Sequence, residues 1–289
     1  MSQTEVIVIV CVIAGVLVIG CVGLSLVGLL LPALGKARSQ ARLLKDATQI
    51  KQIHQSWVVW SRDWDGRFPT PGLINRLAVG GEEVPGRGQE DVLANDHAAL
   101  YSACIMANFI SPELCVGPTE PNPDVLVKDD YDWELYDPEN DSYWDPSFQL
   151  RLNSICNASY AVLPLAGDRK ELEWRETFNS KYAVIANRGV RDGTLLEPDF
   201  GRSFTLQIHG SRKEWVGNVC FNDNHVQVCN TFLPQGIAYV DDAGIEYPDN
   251  LFRNDTGGDS NAAGHDIWLT LIDSISGTPE NLSLSAQWD

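Results

Sequence analysis

Basic residues are scarce in this chain. Its 289 residues hold 21 Lys and Arg against 39 Asp and Glu, a formal net charge of −18. The imbalance is also lopsided. Residues 1–51 carry five bases (Lys36, Arg38, Arg42, Lys45, Lys51) against Glu5 and Asp46, which makes them +3 and leaves −21 for the remainder. So acidic a region repels nucleic-acid phosphates and offers no basic groove, which argues against nucleic acid as a partner. Acidic crowding instead suits a solvated surface or divalent cations.

Two further absences narrow the chemistry. The seven cysteines form no CxxC and no Cys/His cluster at zinc spacing, so a structural zinc site has no support. Cys11 and Cys21 lie in an apolar run, and Cys104, Cys115, Cys156, Cys220 and Cys229 remain for the rest. Five thiols cannot all pair within one chain. Outside the cytoplasm, Cys104–Cys115 is the nearest candidate disulfide in sequence. No Ser or Cys nucleophile stands in a recognisable elbow or triad setting either, and the chain is not expected to be an enzyme.

What the chain does have is an apolar N-terminal stretch. From Val6 to Leu34 there is no charged side chain, and at ~1.5 Å per residue such a helix can cross a hydrocarbon core of ~30 Å. A secretory signal peptide is a poor fit, because MSQTE has no base and the run is about twice the ~7–15 residues of a signal core. The stretch continues directly into GKARSQARLLKDATQIKQIHQSWVVW, where Leu34, Ala37, Ala41, Leu44, Ala47, Ile50, Ile53, Trp57 and Trp60 recur at spacings of three and four. That spacing predicts a single helix of about fifty-five residues, apolar all round in its first half and amphipathic in its second. Glu5 sits alone at the head of the run, where a carboxylate is costly without a cationic partner.

Glu5, the apolar helix, LLLPALGKARSQAR and the later SRDWDGRFP resemble the type IV pilin and type II secretion pseudopilin superfamily, most closely planctomycete-type pilin-like proteins. The resemblance implies processing by a prepilin peptidase ahead of Met1, with Glu5 neutralising the N-terminal amine of a neighbouring subunit. Pro32 corresponds to the family's helix-kinking proline, about ten residues later than usual. A second stretch also resembles the family's C-terminal His…Gly-Asn-Val-x-Phe-x-Asp-Gly-His-Val hairpin. His209, Gly217, Asn218, Val219, Phe221, Asp223, His225 and Val226 match it, and Asn224 stands where the family has the turn glycine. Tyr182–Gly189 resembles the strand before that hairpin.

The implied architecture is α+β: a pilin-like helix over 1–62, with 6–34 spanning a membrane, packed on an antiparallel sheet in a head over 63–289. The implied partners are further copies of the chain in a helical homopolymer and the pilus or secretion assembly machinery. The chain would reside in the inner membrane before assembly and in an extracellular or periplasmic filament after it. The bases that follow the apolar run would by a simple count favour a cytoplasmic head. Their place on a helix with an opposite apolar face suggests packing instead, and the head is expected to face outward. A membrane-anchored domain that binds calcium or glycans without polymerising is the other expectation.

Along the head, Asp63-Trp64-Asp65-Gly66 resembles the start of a calcium loop but lacks the full twelve-residue pattern, and an acidic turn is the simpler reading. Asp96 is positioned to cap a buried helix over about 97–109. His97 reads as a first-turn or surface histidine. Within the insertion at 120–148, residues 121–148 interleave nine carboxylates with Tyr131, Trp133, Tyr136, Tyr143 and Trp144. It reads as a solvated segment pinned by its aromatics, with calcium or glycan binding as alternatives. From 158 onward, ASYAVLPLA, KYAVIANRGV, SFTLQIHG, WVGNVCF and HVQVC read as strands, the last two as a hairpin turning at Asn222-Asp223-Asn224. His209, Asp223 and His225 could hold a metal or a polarised base, but a stabilised turn explains Asp223 and His225 better. GIAYVDDAGIEYPDNLF predicts another hairpin, and the end of the chain a final strand. Between them, Asn254, Asp255, Asp259, Asn261 and Asp266 form the best local oxygen cluster for calcium, because interspersed glycines permit tight wrapping. No cofactor is otherwise required.

Overall fold

The computed structural model describes residues 3–74, 76–79, 82–85, 89–195, 203–258 and 261–289; for residues 5–6, 8–12, 16–19, 21–27, 29, 76–79 and 82–85 the description is of the backbone alone. Met1 and Asp259 therefore lie outside the described residues, as does the side chain of Glu5.

The periodic stretch forms one helix, α1 (Gln3–Ser61), with Pro32 inside it. Proline supplies no amide hydrogen, so the carbonyl one turn earlier loses its helical donor. Two compact units divide the chain, one up to Leu44 and one from Lys45 to Asp289. The boundary falls within α1, and the burial of its stripe explains where. Ile50, Ile53, Trp57 and Trp60 are buried, whereas Leu34 and Leu44 at the head of the same stripe are exposed. The amphipathic half is thus a packing surface only from Asp46 onward. Among the described residues no helix is long and apolar enough to cross a membrane. The expectation of a membrane span at 6–34 falls largely on residues whose side chains are outside the description.

Beyond α1 the chain turns sharply through Asp65 and Gly66, both with positive φ, and Gly66 N–H closes the turn on Ser61 O at 2.9 Å. A one-turn helix α2 (Pro71–Ile74) and a hairpin of β1 (Arg76–Val79) and β2 (Glu82–Pro85) follow. Helix α3 (His97–Met106) is capped as expected, the Asp96 carboxylate accepting from Ala99 N–H at 2.8 Å. The helix is buried almost throughout, as a sequence apolar on all faces requires.

The head is built on a four-stranded antiparallel sheet in the order β3 (Tyr160–Val162), β4 (Ala183–Asn187), β5 (Gly217–Phe221), β6 (Val226–Cys229). Three of its strands are buried along their whole length, which accounts for their continuous apolar runs. The core joins Ile50, Ile53 and Trp57 of α1 to these strands and to Trp174, whose ring centroid lies 4.8 Å from that of Trp57. Beyond the sheet come the hairpins β7 (Ala238–Val240)–β8 (Glu246–Pro248) and β9 (Leu271–Thr278)–β10 (Asn281–Gln287). The latter closes a smaller apolar cluster around Trp268, Ile272 and Leu284.

The charged segment between β3 and β4 contains a short helix, α4 (Gly167–Glu173). Several local expectations are corrected. Within SFTLQIHG, residues Thr205–Gln207 form a 3-10 turn instead of a strand, held by Asp289, whose carboxylate accepts from Ser203 Oγ, Thr205 N and Thr205 Oγ1. The end of the chain makes two strands where one was expected, because Pro279-Glu280 reverses it. His97 is fully buried: Ile272 N–H donates to its Nδ1 at 3.1 Å, and its Nε2 bonds Leu163 O at 3.2 Å. The candidate disulfide is not formed. Cys104 and Cys115 are both free and buried, as are the other three head cysteines. In the acidic insertion Tyr131 and Tyr143 are buried, whereas Trp133 and Tyr136 are exposed. Asp145 within it is buried and lies 3.9 Å from Lys128 Nζ.

Candidate functional site

Two constellations of polar side chains stand out in the head. The first fastens α1 to the sheet. Asp46, fully buried at the start of the docked half of α1, accepts three hydrogen bonds. Tyr160 OH of β3 reaches Oδ1 at 3.0 Å, while Asn218 Nδ2 of β5 and His209 Nε2 reach Oδ2 at 2.7 and 3.0 Å. A buried carboxylate is tolerated only when its lone pairs are met in this way. His209 Nδ1 lies 3.4 Å from Thr119 Oγ1, so the Nε2–H tautomer satisfies both ring nitrogens.

The hairpin grips α1 a second time, two turns further on. Asn224, at φ +67°, takes the left-handed conformation its turn demands and turns its amide to the helix. Its Oδ1 lies 3.1 Å from His54 Nδ1, and its Nδ2 donates to Gln55 Oε1 at 2.6 Å. Burial pulls His54 down to about 4, against the smaller opposing pulls of Asn224 and Asp223, so its ring is neutral and Nδ1–H donates to Asn224. Glycine at this turn could make neither contact.

The other hairpin residues serve the turn. Asp223 Oδ1 accepts from His225 N–H at 3.1 Å and pairs with His225 Nδ1 at 2.5 Å, while the His225 ring stacks on Phe221 at 4.5 Å. Hydrogen bonds and the neighbouring imidazole outweigh burial and hold Asp223 below the usual carboxylate range. Gly217 is required by proximity, since a Cβ there would stand 2.5 Å from the Trp215 ring. The structure thus brings His209, Gly217 and Asn218 together at Asp46, and sets Asp223 and His225 apart at the turn. A metal or base shared by His209, Asp223 and His225 is not assembled. Asp46 was visible in the sequence only as a lone acid among bases on a helix, with no signal of its partners.

The second constellation is acidic. Asp249, just past β8, and Asp255 and Asp266 in the following loop each bring one carboxylate oxygen to within 4.8 Å of the others. Asp266 is fully buried and neutralised from one side by the equally buried Arg169 of α4. The Arg169 nitrogen that pairs with Asp266, Nη2, also donates to Asn254 Oδ1 (2.6 Å), while Nε donates to Asp266 O (2.7 Å) and Nη1 to Ala263 O (3.0 Å). Asp255 N–H donates to Asp266 Oδ2 at 2.7 Å, and Arg253 pairs with Asp255 Oδ1 from the surface. Asp249 Oδ2 accepts from Ile267 N–H at 2.9 Å. Burial first, then the charges of Asp266 and Asp255, push the Asp249 carboxyl up to about 8.

Of the residues expected to hold calcium, the structure joins Asp255 and Asp266 and adds Asp249, which the loop-based reading missed because it belongs to the preceding hairpin. Asn261 is not part of the triad; its Oδ1 accepts from Ala263 N–H at 3.0 Å. Asn254 is the internal hub of the loop, its Nδ2 donating to Gly258 O and Asn261 O. Asp63 and Asp65 belong to no metal-holding group among the described residues. Nearby, Trp268, Trp288, Arg191 and Asn254 line an open cleft of about 270 Å³. Compared with protein-family models, with curated proteins and with solved structures, the chain finds no match in any of the three.

Proposed function

We propose that the chain is a structural subunit of a type IV pilus-like or pseudopilus filament. In this reading the apolar first half of α1 is held in the inner membrane before assembly and is afterwards buried among the helices of neighbouring copies. Hydrophobic packing drives that burial, and Glu5 pairs with the N-terminal amine of a neighbour to fix the register. The head, pilin-like in fold, forms the acidic outer surface of a filament that is extracellular or periplasmic. The partners are further copies of the chain and the assembly machinery, with no role for nucleic acid and none for catalysis.

The observation that carries this reading is the division of labour along α1. Ile50, Ile53, Trp57 and Trp60 dock on the head, whereas Ile7, Ile13, Leu30, Leu31 and Leu34 are exposed. Apolar side chains left exposed along a helix, as these are, need either lipid or other helices around them. Electron microscopy of material sheared from cells, with mass spectrometry of its subunits, tests the proposal. Filaments containing the chain in the wild type and none with Glu5→Ala are expected. Finding the chain only in membrane fractions, unaffected by Glu5→Ala, overturns it. That outcome favours the second reading, a membrane-anchored extracytoplasmic domain that binds calcium or glycans, which the acidic triad supports.

A further inference from the structure

We propose that Asp249, Asp255 and Asp266 form a binding site for one calcium ion, independent of whether the chain polymerises. The spacing suits the ion. Oxygens on opposite sides of a calcium at 2.3–2.6 Å stand about 4.6–5.2 Å apart, and the three carboxylate oxygens lie within 4.8 Å of one another.

Proximity of acids alone would not argue for a ligand. The second observation is that two of these carboxylates are left incomplete. Asp249 Oδ1 and Asp255 Oδ2 are buried and take no hydrogen bond. Asp249 is 2 % exposed and the Asp255 side chain 9 %. A buried anionic oxygen without a donor is costly. The polar groups around them are already committed: Arg169 has four acceptors, Asn254 Nδ2 has two, and Thr256 Oγ1 and Asp255 N–H both serve Asp266.

Charge points the same way. With all three carboxylates ionised, as they would be around a cation, they face two guanidinium groups, Arg169 and Arg253, and 3 − 2 leaves one negative charge for the ion to balance. Arg253 is half exposed and, among the described residues, holds Asp255 through Oδ1. It can stay outside the coordination sphere while Asp255 Oδ2 turns to the ion. Asp266 Oδ2, with a single backbone donor, supplies a third ligand. Water and nearby carbonyls would complete the six to eight oxygens that calcium takes. Because Asp249 follows β8 and Asp266 precedes β9, the ion would cross-link the two hairpins through the loop between them.

The test uses the full chain in detergent, stripped with chelator and titrated with calcium chloride at neutral pH. Calorimetry should show one tight site per chain, and the thermal midpoint should rise by several degrees and saturate. Asp249→Asn keeps the shape and the Ile267 contact, so it should fold in chelator, lose the tight site and lose the calcium-dependent rise. Asp255→Asn serves the same purpose if Asp249→Asn does not fold. Asp130→Asn, in the exposed acidic insertion, should keep both responses. No calcium-dependent rise in the wild type overturns the proposal, and so does an equal rise in Asp249→Asn. A wild type indifferent to calcium but stabilised by Asp249→Asn would mean that a proton shared among the carboxylates, not a metal, occupies the centre.

Discussion

His209 Nε2 donates to Asp46 Oδ2 across 3.0 Å, joining residues 163 positions apart in the chain. The bond, together with those from Asn218 and Tyr160, makes a single buried carboxylate the meeting point of α1, β3 and β5. Removing it should therefore undock the helix. Asp46→Ala leaves three buried donors without an acceptor and should lower the unfolding free energy by about 3–5 kcal/mol, the range for breaking a buried, fully bonded charge. Urea denaturation measures the loss. A double-mutant cycle with His209→Ala should give a coupling of about 0.5–3 kcal/mol; additivity would show that the pair acts separately.

Acid should loosen the head through two histidines. Burial lowers His97 to about 3 and His54 to about 4 from an ordinary value of 6.5. Between those values and 6.5 the unfolded state binds the proton and the folded state does not. The histidine contribution is thus flat above 6.5 and falls with decreasing pH, by about 1.4 kcal/mol per pH unit for each histidine. Asp96, raised to about 6, and Asp249, raised to about 8, both chiefly by burial, act in the opposite sense and stabilise as pH falls below those values. Comparison with His97→Gln isolates the histidine, and the variant should show a slope shallower by about 1.4 kcal/mol per unit between pH 6 and about 4.

Gly189 lies at the end of the β4 segment with the Phe252 ring against it. A Cβ there would stand 2.2 Å from Phe252 Cγ, and Phe252 is itself fully buried. The ring has no room to retreat, so Gly189→Ala should cost about 1–3 kcal/mol through overpacking. The thermal midpoint reports it directly, and relief by Phe252→Leu in the same chain would assign the cost to that contact.

The head thiols should be inert while the protein is folded. All five are buried, and burial pushes Cys104 up to about 12 and Cys156 and Cys229 up to about 11. A thiol that stays protonated and covered neither attacks nor is attacked. A chromogenic disulfide reagent at mildly alkaline pH should find none of the five in the native chain and all five after denaturation. Rapid labelling of Cys104 or Cys115 would contradict the packing of α3.

How far the sequence reaches depends on the distance over which each feature is decided. The stripe ending at Trp60 predicts the docked half of α1, Asp96 predicts the start of α3, and Asn222-Asp223-Asn224 predicts the β5–β6 turn. In each, the groups that choose the conformation lie within a few residues of one another. The same local logic misplaced Thr205–Gln207, whose apolar alternation reads as a strand, because its backbone is captured by Asp289 from the far end of the chain. It also split the acidic triad. Asp255 and Asp266 share a loop and were legible together, whereas Asp249 belongs to a different hairpin.

By itself, then, the sequence determined the long helix, its change from apolar to amphipathic character, the β5–β6 and β7–β8 hairpins and the concentration of negative charge in the head. These follow from side-chain periodicity, turn chemistry and composition, which act on neighbours. Only the tertiary structure decided that Asp46 is an anchor, that Cys104 and Cys115 are separate core thiols, and that Asp249 completes a carboxylate cluster. The energy of a buried polar atom depends on which donor or charge stands a few ångströms away, and that is settled by how distant segments pack.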